Sequence, residues 1–297
     1  MLDLAALAAI ADRHRDELAD SGAARDLTIG GRAFRFSQRP HVMGVINLSR
    51  DSWYRESVCL SAEQAVRRGG VLTAQGADLV DIGAESTLAH AERADAGRQR
   101  SLLLPVVEEL SARGVVVSVE TYRPEVTSAC LEAGAAVLNL TGTADLEAHL
   151  RVVADHGAAA ILCYVQGENV REVGDLRVAE DMAAARYEFF ARQVEVAERC
   201  GVEQLLIDPG LGFYYGNLQD SRERVVHQMA TFLETFRLRR LGWPTCHALP
   251  HAFEYFGEEV RSAEAMFAVL ALIGRTDLLR THEVPRVKAV VDTLAEW

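Results

Sequence analysis

Residues 202–214 read VEQLLIDPGLGFY. A short apolar run, Leu205, Leu206 and Ile207, ends in Asp208, and Pro209 and the glycines Gly210 and Gly212 follow. An apolar run of this length, fed by a helix-like segment, reads as a strand buried on both faces, the kind a parallel sheet needs. A carboxylate that closes such a strand sits where βα loops gather, at the carboxyl end of a sheet or barrel. Pro209 stops the strand, and the glycines let the backbone turn tightly or lie against a ligand. Asp-Pro-Gly is also common turn chemistry, so this stretch alone leaves Asp208 either a turn cap or a ligand contact.

Outward from it, the same unit of apolar run, loop and amphipathic segment repeats. Strands are predicted at Val42–Asn47, Leu79–Gly83, Val115–Glu120, Ala136–Asn139, Ala159–Tyr164, Gln204–Asp208, Thr245–Leu249 and Leu278–His282. Helices are predicted at Ala62–Gln75, Gln99–Arg113, Pro124–Glu132, Ala144–Asp155, Ala179–Cys200, Ser221–Leu241, Ser262–Ile273 and Pro285–Ala295. Eight such alternations without a composition break predict an α/β fold, a (β/α)8 TIM barrel. No GxGxxG follows a strand and no GxxxxGK[ST] occurs, so dinucleotide and P-loop readings are weak. Upstream, MLDLAALAAIADRHRDELAD reads as an amphipathic helix rather than a signal peptide, since Asp3 interrupts its apolar patch and no basic start precedes it. Leu27–Phe36 alternates around Gly30 and Gly31, the pattern of a β-hairpin expected to plug or flank the barrel's lower end. The expected organisation is one domain over 1–297, with the N-terminal helix and hairpin in 1–40 and the barrel in 41–297.

The 297 residues match a barrel plus a short extension, and the 49% hydrophobic content suffices for its core. A net charge of −12 argues against nucleic acid and anionic membrane surfaces as partners. No apolar run reaches the ~18 residues of a membrane span, and a cytoplasmic protein is expected. The five cysteines are scattered without a CxxC pair, so they are expected as small core residues. Among 31 basic residues the only lysine is Lys288.

A barrel carries its chemistry at the carboxyl rim, so the polar strand ends form the candidate site. They are Asn47, Asp81, Glu120, Asn139, Tyr164, Asp208, His247 and the pair Arg280/His282. Glu120, Asn139 and Asp208 suit a planar heterocycle rich in N–H donors, such as an aminopyrimidinone. Arg280 and His282, with Asn47, are expected at the opposite corner, across a gap sized for a bicyclic ring, and suit a phosphate or pyrophosphate. The expected ligand therefore has a hydrogen-bond-donating head and an anionic tail.

The stretches HVMGVINLSRDSW (41–53), DIGAEST (81–87), VETYRPEV (119–126), AAVLNL (135–140), DPGLGF (208–213) and LLRTHEV (278–284) resemble the successive motifs of dihydropteroate synthases. The resemblance runs in order from about His41 to the C-terminus. It implies a (β/α)8 barrel, usually a homodimer, joining 6-hydroxymethyl-dihydropterin pyrophosphate to p-aminobenzoate and releasing pyrophosphate with Mg2+. By position, it implies pterin contacts at Asn139 and Asp208, with Glu120 where the family has an aspartate. It implies a pyrophosphate and metal corner at Asn47, Arg280 and His282, with Asn47 toward the metal, and a mobile first loop at Asp51, Ser52 and Trp53. Thr87, in the second motif, joins the substrate-binding set, and Asp51, Asp208, Arg280 and His282 are the expected catalytic group.

The chain also departs from that pattern. Leu249-Pro250-His251 replaces a Ser-Arg-Lys triplet, leaving His251 as the available donor. Leu140 replaces an aspartate, Leu88 an arginine, and the lysine expected after DPGLGF is lost among Tyr214, Tyr215 and Gly216. Tyr164 stands for a histidine. In the first loop Arg50 replaces a proline, Trp53 a phenylalanine and Arg55 an aspartate. Two further readings stay open: a pterin-binding paralogue with another acceptor amine or no synthase activity, and a methyltransferase-like relative. Arg280 and His282 argue against the second. His247 and His251 are four apart, but Pro250 disfavours a helix there, so a metal pair is not expected. Glu168–Asp181 is expected as a solvated lid.

Overall fold

The computed structural model describes residues 1–52, 54–85, 93–168, 174–212, 215–218 and 221–297. The N-terminal segment forms two short helices, α1 (Leu4–Arg13) and α2 (Arg15–Asp20), where one was expected. They part at His14 (φ −117°, ψ 34°), whose Nδ1 lies 2.8 Å from Glu17 Oε2. The hairpin follows as β1 (Leu27–Ile29) and β2 (Arg32–Phe34). Gly30 and Gly31 both have positive φ (57° and 75°), as a two-residue hairpin turn demands. It packs under the amino ends of the barrel strands. Thr28 N–H donates to Gln204 Oε1 (3.0 Å), and Arg32 Nη1 donates to the Asp78 carbonyl (3.1 Å).

Eight parallel strands make the barrel: β3 (His41–Asn47), β4 (Leu79–Gly83), β5 (Val117–Glu120), β6 (Val137–Leu140), β7 (Ala159–Cys163), β8 (Gln204–Asp208), β9 (Cys246–Ala248) and β10 (Leu278–Thr281). The sheet runs β8-β7-β6-β5-β4-β3-β10-β9. It closes where Ile207 bridges Thr245 and donates its N–H to the Pro244 carbonyl (3.0 Å). Each strand end falls within two residues of the sequence reading, because buried apolar runs leave little choice of register.

The outer layer comprises α3 (Ala62–Ala74), α4 (Ala96–Ala112), α5 (Pro124–Glu132), α6 (Leu146–Asp155), α7 (Met182–Arg199), α8 (Ser221–Leu233), the short α9 (Phe253–Phe256), α10 (Ala263–Ile273) and α11 (Val284–Leu294). Caps set the starts that periodicity misplaced. Asp95 accepts from Arg98 N–H (2.7 Å), starting α4 before Gln99, and Asp181 accepts from Ala184 N–H (2.9 Å), starting α7 after Ala179. The helix expected over Ser221–Leu241 breaks at Glu234 and tightens into a 3-10 turn over Thr235–Leu241. That turn brings the buried Arg237 onto Asp181 (2.6 Å), Glu17 (2.9 Å) and Glu234 (3.0 Å), fastening α2 and α7 to the barrel. Cys59, Cys130, Cys163 and Cys246 are buried free thiols. Among the described residues no helix is long and apolar enough to cross a membrane.

Candidate active site

At the carboxyl end of the barrel, Asp81 organises a buried polar network. Its carboxylate accepts from Ser118 Oγ (2.6 Å, β5), Asn139 Nδ2 (3.0 Å, β6) and Arg280 Nε (2.8 Å, β10). Arg280 Nη2 also donates to Glu120 Oε2 (3.2 Å), and Glu120 Oε1 accepts from Thr141 Oγ1 (3.1 Å) and the Tyr122 hydroxyl (3.2 Å). Alternation along parallel strands points these residues inward, so side chains of four strands join one network. Burial opposes the Arg280 charge, but Asp81 and Glu120 outweigh it and hold the guanidinium protonated. Burial pushes the Glu120 carboxyl up, with Arg280 pulling the other way. Arg280 therefore sits among the carboxylates rather than across a gap from them. Its Nη1 donates to no side chain among the described residues.

Asp208 ends β8 on the same rim and is buried. One oxygen accepts from Gly210 N–H (2.8 Å), in a turn where Gly210 takes φ 81°, which a residue with a Cβ adopts only under strain. Tyr164 N–H donates to the Asp208 carbonyl (2.8 Å). Burial pushes the Asp208 carboxyl up to about 6, while the Gly210 N–H and then the Arg280 and Arg186 charges pull it down. Among the described residues no side chain donates to it. Such a carboxylate, ionised at neutral pH, is suited to accept from a ligand.

His282 follows β10. Its Nδ1 lies 3.0 Å from Glu264 Oε1, and Glu264 also accepts from the Thr281 hydroxyl and from His282 N–H (3.0 Å). An ionised carboxylate only accepts, so Nδ1–H is the donor to Glu264, and Nε2 is an acceptor in the neutral ring and a donor in the imidazolium. Tyr54 stacks on the His282 ring, with centroids 4.2 Å apart and planes 11° from parallel. Its hydroxyl donates to Glu283 Oε1 (2.7 Å), which Arg261 also grips. Burial, then the Glu283 bond, pushes the phenol up and keeps it a donor. Tyr54→Phe keeps the stack and loses one hydrogen bond. The expected cost is about 1 kcal/mol in urea unfolding, against a larger loss for Tyr54→Ala.

Asp51 is exposed and Ser52 is buried in the stretch leading to Tyr54. Trp53 and Thr87 lie outside the described residues, as do Leu88 and Tyr214. Asn47 Nδ2 donates to Ser57 Oγ (2.6 Å), which leaves its amide oxygen as an acceptor. One neutral oxygen suits Mg2+ held mainly by water and substrate phosphates, and no cluster of three or more His, Cys, Asp or Glu offers a metal cage among the described residues.

His251 is half-buried beside Phe253, and burial, then Arg224, pushes its pKa down. It is neutral at neutral pH and does not replace a lost lysine's charge. His247 turns to Thr235 Oγ1 (2.8 Å), with burial pushing it down to about 3. Of the charged stretch Glu168–Asp181, residues 169–173 are outside the described set, and the Glu168 carbonyl accepts from Thr143 N–H (2.8 Å).

Sequence reasoning named Asp81 at a strand end without giving it a role, and passed over Ser118, Thr141, Glu264, Glu283 and Arg186. Two carried a signal: Glu264 is the single charge in the otherwise apolar helical run AEAMFAVLALI, and Arg186 is the single basic residue in the largely apolar MAAARYEFFA.

A family model described as pterin binding enzyme matches residues 43–249, which contain Asn47, Asp81, Glu120, Asn139 and Asp208. The chain is similar to the dihydropteroate synthase of Mycobacterium leprae, 32% identical over 265 residues, covering 85% of this chain and 90% of the relative. It is 28% identical over 271 residues to that of Synechocystis, covering 87% and 90%. Its fold is similar to Xanthomonas albilineans dihydropteroate synthase with 4-aminobenzoic acid (TM-score 0.77, 29% identity, covering 92% and 98%). A second similar structure is the Thermus thermophilus enzyme in complex with 6HMPPP (TM-score 0.72, 28% identity, covering 92% and 100%).

Proposed function

The chain belongs to the pterin-binding enzymes, and on that premise we propose that it is a dihydropteroate synthase-type transferase. It condenses a 6-hydroxymethyl-dihydropterin pyrophosphate with p-aminobenzoate or a related amine and releases pyrophosphate. The observation that carries this reading is the buried Asp208, ionisable near neutrality, whose carboxylate is bonded among the described residues only to Gly210 N–H, beside the Asn139–Asp81–Arg280–Glu120 network.

The ring's amino and N–H donors fit Asp208, and Asn139 fixes the edge beside it. The amine nitrogen's lone pair forms the C–N bond at the pterin methylene as the C–O bond to pyrophosphate breaks, and the amine then gives up a proton. Positive charge developing on the ring is stabilised by fixed carboxylates in a water-poor site. Arg280 Nη1 and the Nε2–H of His282 as the imidazolium donate to the departing pyrophosphate. Bound Mg2+, with Asn47 as a protein oxygen, would offset charge on the same phosphates. The amine needs only orientation, supplied by the first loop. The neutral His251 at the lost lysine position is what favours a second reading, a different acceptor amine at the same pterin site.

Ring binding requires ionised Asp208, so affinity is expected to be flat above pH 7. It should fall as pH drops through about 6, approaching tenfold per unit. Folding runs the other way: a raised carboxyl pKa contributes stability that is complete in acid and is lost as pH rises from about 4 through about 6. Calorimetric titrations and urea unfolding across pH 4–8 check both. The function itself is tested with purified protein, Mg2+, the pterin pyrophosphate and p-aminobenzoate: amine-dependent pyrophosphate release is expected. Pterin binding without turnover would favour another acceptor.

A further inference from the structure

Arg186, on α7, is 2% exposed, yet no carboxylate pairs with it among the described residues. Its Nη1 donates to Thr231 Oγ1 (3.0 Å), its Nη2 lies 3.2 Å from His227 Nε2, and its Nε has no partner. Its guanidinium carbon stands 5.4 Å from the centre of the Tyr164 ring. Of these, His227 is neutral: burial, then Arg186 itself, pushes it down to about 4. A buried arginine without an acid is unusual, because desolvating a charge is unfavourable unless an opposite charge offsets it.

The converse holds one residue away. Asp208 is a buried carboxylate that no cation contacts among the described residues, and Arg280 is already shared by Asp81 and Glu120. Tyr164 links the two. Its N–H holds the Asp208 carbonyl (2.8 Å), and its ring carries the Arg186 guanidinium.

We propose that Arg186 is a positioning residue of the site: behind Tyr164, its guanidinium adds to Arg280 the positive charge that keeps Asp208 in the ionised form that accepts the ring. The charge relation concerns the unliganded protein, and only its consequence for binding rests on the head-group reading above. The groups whose fields reach Asp208 are Arg280 from β10, Asp81 from β4, Cys163 from β7, Cys246 from β9, Tyr215 from the loop after β8, and Arg186. Burial pushes the two thiols and the Tyr215 phenol up, so they stay neutral. Of the two cations, only Arg186 is not divided among other acids.

The test is a carbon-13 NMR titration of the Asp208 carboxyl in the full unliganded chain, assigned by its loss in Asp208→Asn. Arg186→Met removes the charge, Thr231→Asp neutralises it in place, and Arg186→Lys retains it. The midpoint, about 6 in the parent, should rise in the first two variants and hold in the third. A rise of about one pH unit would lower affinity for 6-hydroxymethyl-dihydropterin about fivefold at pH 6 and less than about twofold at pH 8. A packing role alone would lower affinity equally at both. If Arg186→Met does not fold, Thr231→Asp decides. A midpoint unmoved by neutralisation overturns the proposal. A midpoint that moves without affinity following upholds it and sinks the head-group reading instead.

Discussion

Asp208→Asn is expected to cost the protein at least two orders of magnitude in pterin affinity while leaving the barrel folded. The side chain keeps its size, so the Gly210 N–H contact at 2.8 Å can persist through the amide oxygen. The amide's other face, however, presents N–H donors to the ring's own donors. Losing a charge-assisted pair and setting donor against donor costs about 3 kcal/mol, a factor of about a hundred. The fold itself does not depend on the charge. Asp208 is raised to about 6 by burial, so its neutral form is the one the interior prefers, and the variant's midpoint in urea should equal or exceed the parent's near pH 7. Calorimetry at pH 7 checks the first statement and unfolding the second. Unchanged affinity would remove Asp208 from the head-group site.

Arg280→Met should produce the largest loss of stability of any single change at the site. Arg280 is the cation bonded to both Asp81 (2.8 Å) and Glu120 (3.2 Å), and both acids are buried. Removing it leaves two like charges close together without a counter-charge, a situation that typically costs about 3–5 kcal/mol. The loss should shrink in acid, where one of the pair takes up a proton, and Glu120, already pushed up by burial, is the natural acceptor. The double variant Arg280→Met with Asp81→Asn should recover much of the loss, because no unpaired pair remains. Neither variant should bind the pyrophosphate tail, since Nη1 has gone. Urea unfolding at pH 5 and pH 7 separates this from a packing effect, which would be equal at both.

The barrel was legible because each of its strands is a short apolar run bounded by loops, a pattern that needs no partner to be recognised. The rim was legible for the same reason: a polar residue ending such a run has only the mouth to face. What the sequence hid were contacts between residues far apart along it. Tyr54 and Glu283 are 229 positions apart, and nothing local marks the tyrosine as the clasp between the first loop and the strand-ten corner. Arg280 and Asp81, 199 apart, each read as a site residue or a strand-end acid, not as partners. The expectation that cations would stand opposite the carboxylates failed because an arginine buried at this depth takes the nearest acids first. Helix ends moved where a side-chain cap, as at Asp95 and Asp181, outranked hydrophobic periodicity.

One mouth is expected to hold the ring on Asp208 and the phosphates on Arg280 and His282. A crystal structure of the protein with 6-hydroxymethyl-dihydropterin pyrophosphate measures this directly. The expected result is the ring's N–H edge within hydrogen-bonding distance of Asp208 and Asn139, with the pyrophosphate reaching Arg280 Nη1 and His282 Nε2. A ring bound elsewhere, or seated in the mouth with Asp208 untouched, would contradict it.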